Sequence, residues 1–123
     1  MDQLDGFQIK DQEGKVCRLK KSLYGLKQFS RQWYLKFHQA ILDIGYEMSP
    51  LDYCVYVWKD KEKLALLSLY VDDILFASNS PNMIKETKFW LGSKFEMKDM
   101  GLANYVLGIR ISRDRDSKLI YLD

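Results

Sequence analysis

The sequence predicts an α+β fold, an antiparallel sheet with two helices packed on one face, and three observations lead there. Two apolar runs within residues 64–78, LALLSLYVDDILFAS, meet at adjacent carboxylates, Asp72 and Asp73. Helical spacing takes over twice, from about Ser30 and again after Ser80 and Pro81. Strand-like alternation returns after each helix, so runs of antiparallel strand are crossed twice by helices.

In chain order, residues 7–10 and 15–19 form the arms of a hairpin around the Gly-containing loop 11–14, with Val16 and Arg18 alternating against Cys17 and Leu19. Residues 20–28, KKSLYGLKQ, have no clear period and hold Gly25, which predicts a loop entering a helix and a place where the backbone can come close to a ligand. Trp33, Phe37, Ala40, Ile41 and Ile44 then mark one helical face, closed by Gly45. Pro50 breaks the pattern, and YCVYVW at residues 53–58 predicts a strand that turns through residues 59–63 into the run beginning at Leu64.

In that run Ser68, Tyr70 and Asp72 fall on one face and Leu67, Leu69 and Val71 on the other, so one face is dry and one is open for a cleft. Asp72 and Asp73 are expected at the hairpin tip. The pair is not the Asn-Gly or Asp-Gly that two-residue hairpins favour. Two like charges crowded at the end of a buried hairpin suit neutralisation by a divalent cation such as Mg²⁺, although a solvated acidic turn also fits the bare pair. Ser80 as N-cap and Pro81 at the first helical position open the second helix, with Ile84, Thr87, Trp90 and Leu91 inward and an end at Gly92 or Ser93. A short strand is expected at residues 95–98, a turn at Gly101, a strand through Tyr105, Leu107, Ile109 and Ile111, a polar turn at residues 114–117, and a last strand at residues 118–122.

Length and composition set the outer bounds. With 123 residues, 47% of them hydrophobic, the chain has material for one domain and too little for two. No apolar run has the length of a membrane span, and the start MDQLDGFQIK has neither the basic beginning nor the apolar middle of a signal peptide, so the protein reads as intracellular. Cys17 and Cys54 lack metal-ligand spacing and are expected as buried thiols. His38 is the single histidine, which disfavours a histidine-based metal site or triad.

The net charge of +2 hides an uneven distribution. Residues 15–42 contain no Asp or Glu but carry Lys15, Arg18, Lys20, Lys21, Lys27, Arg31 and Lys36, interleaved with Tyr24, Phe29, Trp33 and Tyr34. A phosphate-rich ligand such as a nucleic acid would meet complementary charge there, and a merely solubilising surface would look the same.

Several blocks in order are more specific than any one of them. Gly6-Phe7, VCRLKKSLYGLKQ at residues 16–28 with Arg31 and Trp33 after it, SPLDYCVY at 49–56, LYVDDILF at 69–76 and KFEMKDMGLANYVLGIRISRD at 94–114 together resemble the reverse transcriptase of copia-type long-terminal-repeat retrotransposons, over nearly the whole chain. The resemblance implies a polymerase palm-like sheet, residues 1–123 being a partial reverse transcriptase domain of fingers and palm. It implies a fragment of an RNA-directed DNA polymerase acting by two-metal nucleotidyl transfer, with Asp72 as metal ligand, Asp73 as supporting carboxylate, and Tyr70 and Val71 beside the primer end and incoming nucleotide. Tyr24 and Gly25 match the block that contacts nucleotide and template, although many retroviral enzymes have Gln where this chain has Tyr24. Lys27, Gln28 and Arg31 are expected at template or phosphate, and Gly108, in a block resembling the primer grip, at the primer backbone.

Mg²⁺, with Mn²⁺ as a substitute, is the implied cofactor. An RNA template, a DNA primer, deoxynucleoside triphosphates and the rest of the Pol polyprotein are the implied partners, with no membrane, inside a cytoplasmic particle. The resemblance places a third catalytic carboxylate on a strand just before the segment matching residues 1–7, and the thumb and ribonuclease H regions after the chain. The expectation is therefore a chain that alone binds metal weakly and polymerises poorly or not at all. The alternative is a non-catalytic nucleic-acid-binding remnant of a decayed element.

Overall fold

The computed structural model describes residues 2, 3, 5–7, 12, 14–21 and 23–123, which fall into two compact units, Met1–Asp43 and Ile44–Asp123. The first arm of the expected N-terminal hairpin lies mostly outside the described residues, as does Ser22. Its loop does turn, Lys15 N–H donating to Gln12 O at 3.1 Å, and Gln3 holds the same turn from its side-chain amide through Gln12 O and Lys15 O, each at 2.8 Å. Residues 15–19 are not a strand: all five are exposed, so their alternation has no buried face to reward pairing. Cys17, expected buried, is exposed with them, Cys54 is half-buried, and neither forms a disulfide.

Helix α1, Phe29–Asp43, buries Phe37 and Ile41 completely, with Trp33, Ala40 and Ile44 half-buried beside them, as the helical spacing predicts. Trp33 and Phe37, one turn apart, meet with ring centroids 5.7 Å apart, and Tyr34 stacks on His38 at the same spacing. His38 is an ordinary helix residue. The chain leaves through Gly45 at φ +87°, a conformation that glycine adopts without penalty.

The second unit is built on a four-stranded antiparallel meander of β1 (Glu47–Met48), β2 (Val55–Asp60), β3 (Lys63–Tyr70) and β4 (Asp73–Ser78) in that spatial order. The two-residue β1 is too short to have carried a period in the sequence. Register aligns Tyr56 with Leu67 and Leu67 with Phe76, so one face gathers Tyr56, Ala65, Leu67 and Leu69 as core, with Ile74 and Phe76 half-buried. The opposite face carries Leu66, Tyr70, Asp73 and Leu75, all exposed. Helix α2, Pro81–Lys94, lies along β4 and turns Thr87 and Leu91 fully inward, with Ile84 and Trp90 half-buried.

Ser80 has the extended dihedrals of an N-cap, but its side chain makes no capping bond. The helix continues past Gly92 and Ser93 because Phe95, itself buried, closes the last turn through its N–H to Leu91 O at 2.9 Å. Residues 95–98 are not a strand. Asp99 instead accepts both contacts from Lys88 Nζ, at 2.9 and 3.0 Å, and one from Gly101 N–H at 2.9 Å, holding the segment to α2 without a strand partner.

The single strand expected through residues 105–111 is a hairpin. Strand β5 (Tyr105–Val106) turns through Leu107 and Gly108, at φ +53° and +80°, into β6 (Ile109–Asp114). Positive φ at both central residues is the type I′ turn, whose twist matches the flanking strands. Strand β7 (Leu119–Leu122) completes a separate three-stranded sheet, β5-β6-β7, where one sheet was expected. No helix among the described residues is long and apolar enough to cross a membrane.

Candidate active site

The β3–β4 hairpin closes on the pair Tyr70 and Asp73, so its two-residue turn is Val71 and Asp72, one position earlier than expected. Asp73 is therefore the first residue of β4, directly across from Tyr70 on the exposed face of the sheet. Asp72, expected on that face, projects from the turn itself. Cross-strand packing explains the register. As built, Leu67 faces Phe76 and Leu69 faces Ile74, whereas a turn at Asp72 and Asp73 would set Leu67 against Ser78.

The cost of that register falls on Val71. Its φ is +50°, and Asp72 is not among the residues with positive φ, which is the type II′ pattern, with the left-handed position at the first turn residue. Glycine is the usual occupant; a β-branched side chain there is an outlier, because both γ-carbons crowd the backbone. Strain of this kind persists where the surrounding structure over-determines it, and it clusters at functional sites. Tyr70, Val71, Asp72 and Asp73 are all exposed at this one end of the sheet, where Val71, expected on the dry face, is 54% exposed.

The far end of the same hairpin is clamped by a residue that sequence reasoning passed over. Asn79 accepts from Leu64 N–H at 2.9 Å and donates to Glu62 O at 2.7 Å, extending the β3–β4 pairing past Ser78 with side-chain bonds. A polar residue just after an apolar run is the only trace such a clamp leaves in a sequence.

In the first unit, Leu26 N–H bonds Leu23 O at 3.3 Å with Gly25 at φ +90°, a type II turn that puts Tyr24 at its second corner. Tyr24 is 79% exposed and meets Phe29 edge-on, ring centroids 5.4 Å apart. A second turn, Phe29 N–H to Leu26 O at 2.9 Å, leads into α1 and carries Lys27 and Gln28 in the open, with Arg31 exposed on the first turn of the helix. The structure thus groups Tyr24, Gly25, Lys27, Gln28 and Arg31 on one turn-and-helix segment. Gly108 sits in the β5–β6 turn of the second sheet.

Asp72 and Asp73 are hard oxygen donors of the kind magnesium takes, but among the described residues no three His, Cys, Asp or Glu side chains come together to hold a metal ion. Two carboxylates leave most of an octahedral shell to other donors, so the pair fits as part of a magnesium site.

Residues 1–122 match the family described as reverse transcriptase (RNA-dependent DNA polymerase). The chain is 41% identical over 123 residues to the retrovirus-related Pol polyprotein from transposon TNT 1-94 of Nicotiana tabacum, covering 99% of this chain and 9% of that one. It is 38% identical over 113 residues to the corresponding polyprotein from transposon RE1 of Arabidopsis thaliana, covering 92% of this chain and 8% of the relative. The truncated transposon Ty1-A Gag-Pol polyprotein of Saccharomyces cerevisiae is 30% identical over 109 residues, 82% of this chain and 9% of its own length. The chain thus spans less than a tenth of these relatives. No solved structure matches it.

Proposed function

The chain belongs to the reverse transcriptase family, of the kind carried by copia-type retrotransposons, and from that premise we propose that it is the part of an RNA-directed DNA polymerase that contributes two metal-binding carboxylates, Asp72 and Asp73. The observation that carries the reading is the β3–β4 hairpin. Two adjacent carboxylates stand exposed at a turn whose first residue, Val71, is held at φ +50°. A solvated acidic turn with no task would gain nothing from a strained β-branched residue beside it.

Asp72 is the direct ligand, because it projects from the tip, and Asp73 supports it from the first position of β4. Tyr70, across from Asp73, offers an exposed ring beside a primer end or incoming deoxynucleoside triphosphate. Bound at the tip, Mg²⁺ would supply the Lewis acidity that lowers the pKa of a primer 3′-hydroxyl and offsets triphosphate charge. In the first unit, Tyr24 and Gly25 serve nucleotide and template, and Lys27, Gln28 and Arg31 meet phosphates of an RNA template. Gly108, without a side chain, lets a primer backbone come close to the β5–β6 turn.

Two carboxylates are a thin set for two hard cations held about 3.5–4 Å apart. The purified chain is therefore expected to bind Mn²⁺ weakly, to lose that binding on Asp72→Asn, and to show no template-directed incorporation. Titration followed by manganese electron paramagnetic resonance, with a primer-extension assay alongside, tests both points. Binding unchanged by Asp72→Asn sinks the metal role. Primer extension abolished by the same substitution overturns the expected inactivity and leaves the polymerase reading standing. Salt-dependent polynucleotide binding without any Asp72-dependent metal binding favours a non-catalytic binding remnant.

A further inference from the structure

The register of the β3–β4 hairpin decides what stands at its acidic end. As built, Val71 and Asp72 form the turn and Asp73 opens β4 across from Tyr70. Sliding β4 by two residues would put Asp72 and Asp73 in the turn, release Val71 from its φ of +50°, and set Tyr70 across from Leu75. Local preference works for that slip, because aspartate tolerates the left-handed position better than valine. Leu67 would face Ser78 in place of Phe76, but Leu69 would face Phe76 and Val71 would face Ile74, so packing lost at Leu67 is partly regained nearer the turn.

Asn79 works against the slip from the other end of the hairpin. Its Oδ1 accepts from Leu64 N–H at 2.9 Å and its Nδ2 donates to Glu62 O at 2.7 Å, while its backbone N–H and Ser78 Oγ both donate to Leu64 O, at 3.3 and 2.7 Å. Glu62 belongs to the two-residue turn that joins β2 to β3, so one amide ties the end of β4 to both hairpins. The side-chain bonds are exposed and each is worth little alone, but a slip breaks all four bonds together. Asn79 would move opposite Leu66, about 7 Å along the strand. Pro81 would come opposite Leu64, and without an N–H it has nothing to donate to Leu64 O.

We propose that Asn79 is a positioning residue for the acidic turn, its amide fixing the β3–β4 register that leaves Asp72 at the tip and Asp73 across from Tyr70. The inference rests on the reading of Asp72 and Asp73 as metal ligands and adds the residue that aims them. Asn79 stands at the opposite end of the hairpin from both carboxylates and acts on them through the ladder alone.

The test follows register and metal binding together in the whole chain. Leu64 and Asn79 are bonded across the ladder, so Leu67 and Phe76 fall at a non-hydrogen-bonded pair, where the two α-carbons come closest. A nuclear Overhauser effect between their α-protons reports the built hairpin, and one between Leu67 and Ser78 reports the slipped one. Asn79→Ala is expected to bring up the Leu67–Ser78 contact and to weaken Mn²⁺ binding, read by electron paramagnetic resonance, in proportion to the built hairpin that remains: about twofold where half the molecules have slipped. Val71→Gly added to Asn79→Ala relieves the strain that favours slipping and is expected to restore both readouts. A role confined to stability would lower the melting temperature without creating the Leu67–Ser78 contact.

If Asn79→Ala keeps Leu67 against Phe76 alone, or if the register slips and Mn²⁺ binding does not follow, the positioning role is wrong; loss of binding on Asp72→Asn then leaves the metal reading standing. If the parent chain and Asp72→Asn bind Mn²⁺ alike, the metal reading falls and the positioning role falls with it. Should Asn79→Ala fail to fold, Asn79→Asp at neutral pH decides instead, since it keeps the acceptor for Leu64 N–H and loses the donor to Glu62 O. The Leu67–Ser78 contact in that variant supports the role, and its absence overturns it.

Discussion

Val71 shows how a single residue can carry the cost of a site. A left-handed conformation costs an L-residue about 1–2 kcal/mol, and β-branching makes the crowding worse. Val71→Gly removes the strain but adds freedom to the unfolded chain, so urea unfolding is expected to show a net gain of about 0.5–1 kcal/mol. A loss of stability would mean that the valine side chain packs better than its exposure suggests. Tyr46 and Thr87, both buried, give the opposite case: their hydroxyls meet at 3.1 Å in one hydrogen bond, in which either can donate to the other. Tyr46→Phe and Thr87→Val each strand a buried partner and are expected to cost about 1–2 kcal/mol, while the double variant costs clearly less than their sum. Burial also lifts the Tyr46 hydroxyl above the ordinary tyrosine range, against the smaller lowering by Thr87. Its raised value means that this stability is complete below about pH 10 and is lost as pH climbs through the folded value, which ultraviolet titration of the tyrosinate band would register. Of these residue-level facts the sequence displays the identity of Asp72 and Asp73. It does not display which pair becomes the turn, because an aspartate tolerates the left-handed position better than valine and local preference points one residue too late.

At the scale of elements, what was legible follows from period. Helix α1, helix α2 and strand β3 each repeat an apolar spacing often enough to name their type and buried face, β2 and β4 their type alone, and Leu67, Leu69, Phe37 and Thr87 are where that spacing puts them. What was missed has no period. Strand β1 is two residues, residues 15–19 alternate without a face to bury, and the turn at Leu107 and Gly108 lies inside a run whose alternation continues across it. The segment after α2 was misread for another reason: residues 95–98 have strand-like composition, but a polar tether decides their course. Asp99, held by Lys88 first and then by Gly101 N–H, has its carboxyl pushed below the usual carboxylate range. A depressed pKa contributes stability above the unfolded value, near pH 4, that disappears as pH falls through the folded one. The melting temperature of the parent chain is therefore expected to exceed that of Asp99→Asn above about pH 4, and the gap to close in acid. Both residues reach solvent, so the gap should also narrow in high salt.

For the molecule as a whole, the apolar surface exposed at strand β7 has a consequence for handling the protein. Strand β7 is the edge of its sheet, carries no charged residue, and exposes Leu119, Ile120, Tyr121 and Leu122 together. Register places Ile120 and Leu122 on one face, opposite Arg113 and Ile111, and Leu119 and Tyr121 on the other. An uncharged apolar edge strand offers unpaired backbone groups and apolar area to any second strand that approaches, and natural edges are usually blunted by a lysine, a proline or a bulge. None of these lies within β7; Lys118, just before it at φ +54°, belongs to the turn. With a net charge of only +2, long-range repulsion does little to keep copies apart. The chain is therefore expected to associate as its concentration rises, with a weight-average mass in sedimentation equilibrium above that of the monomer. Ile120→Lys with Leu122→Lys places two like charges on one face of the edge and should restore a monomer at a small cost in melting temperature, since both side chains are already in solvent but Lys at position 120 stands across from Arg113. Association that persists unchanged in the double variant would move its origin to another surface, and a collapse of the melting temperature would show that β7 packs on a face that its exposure does not reveal.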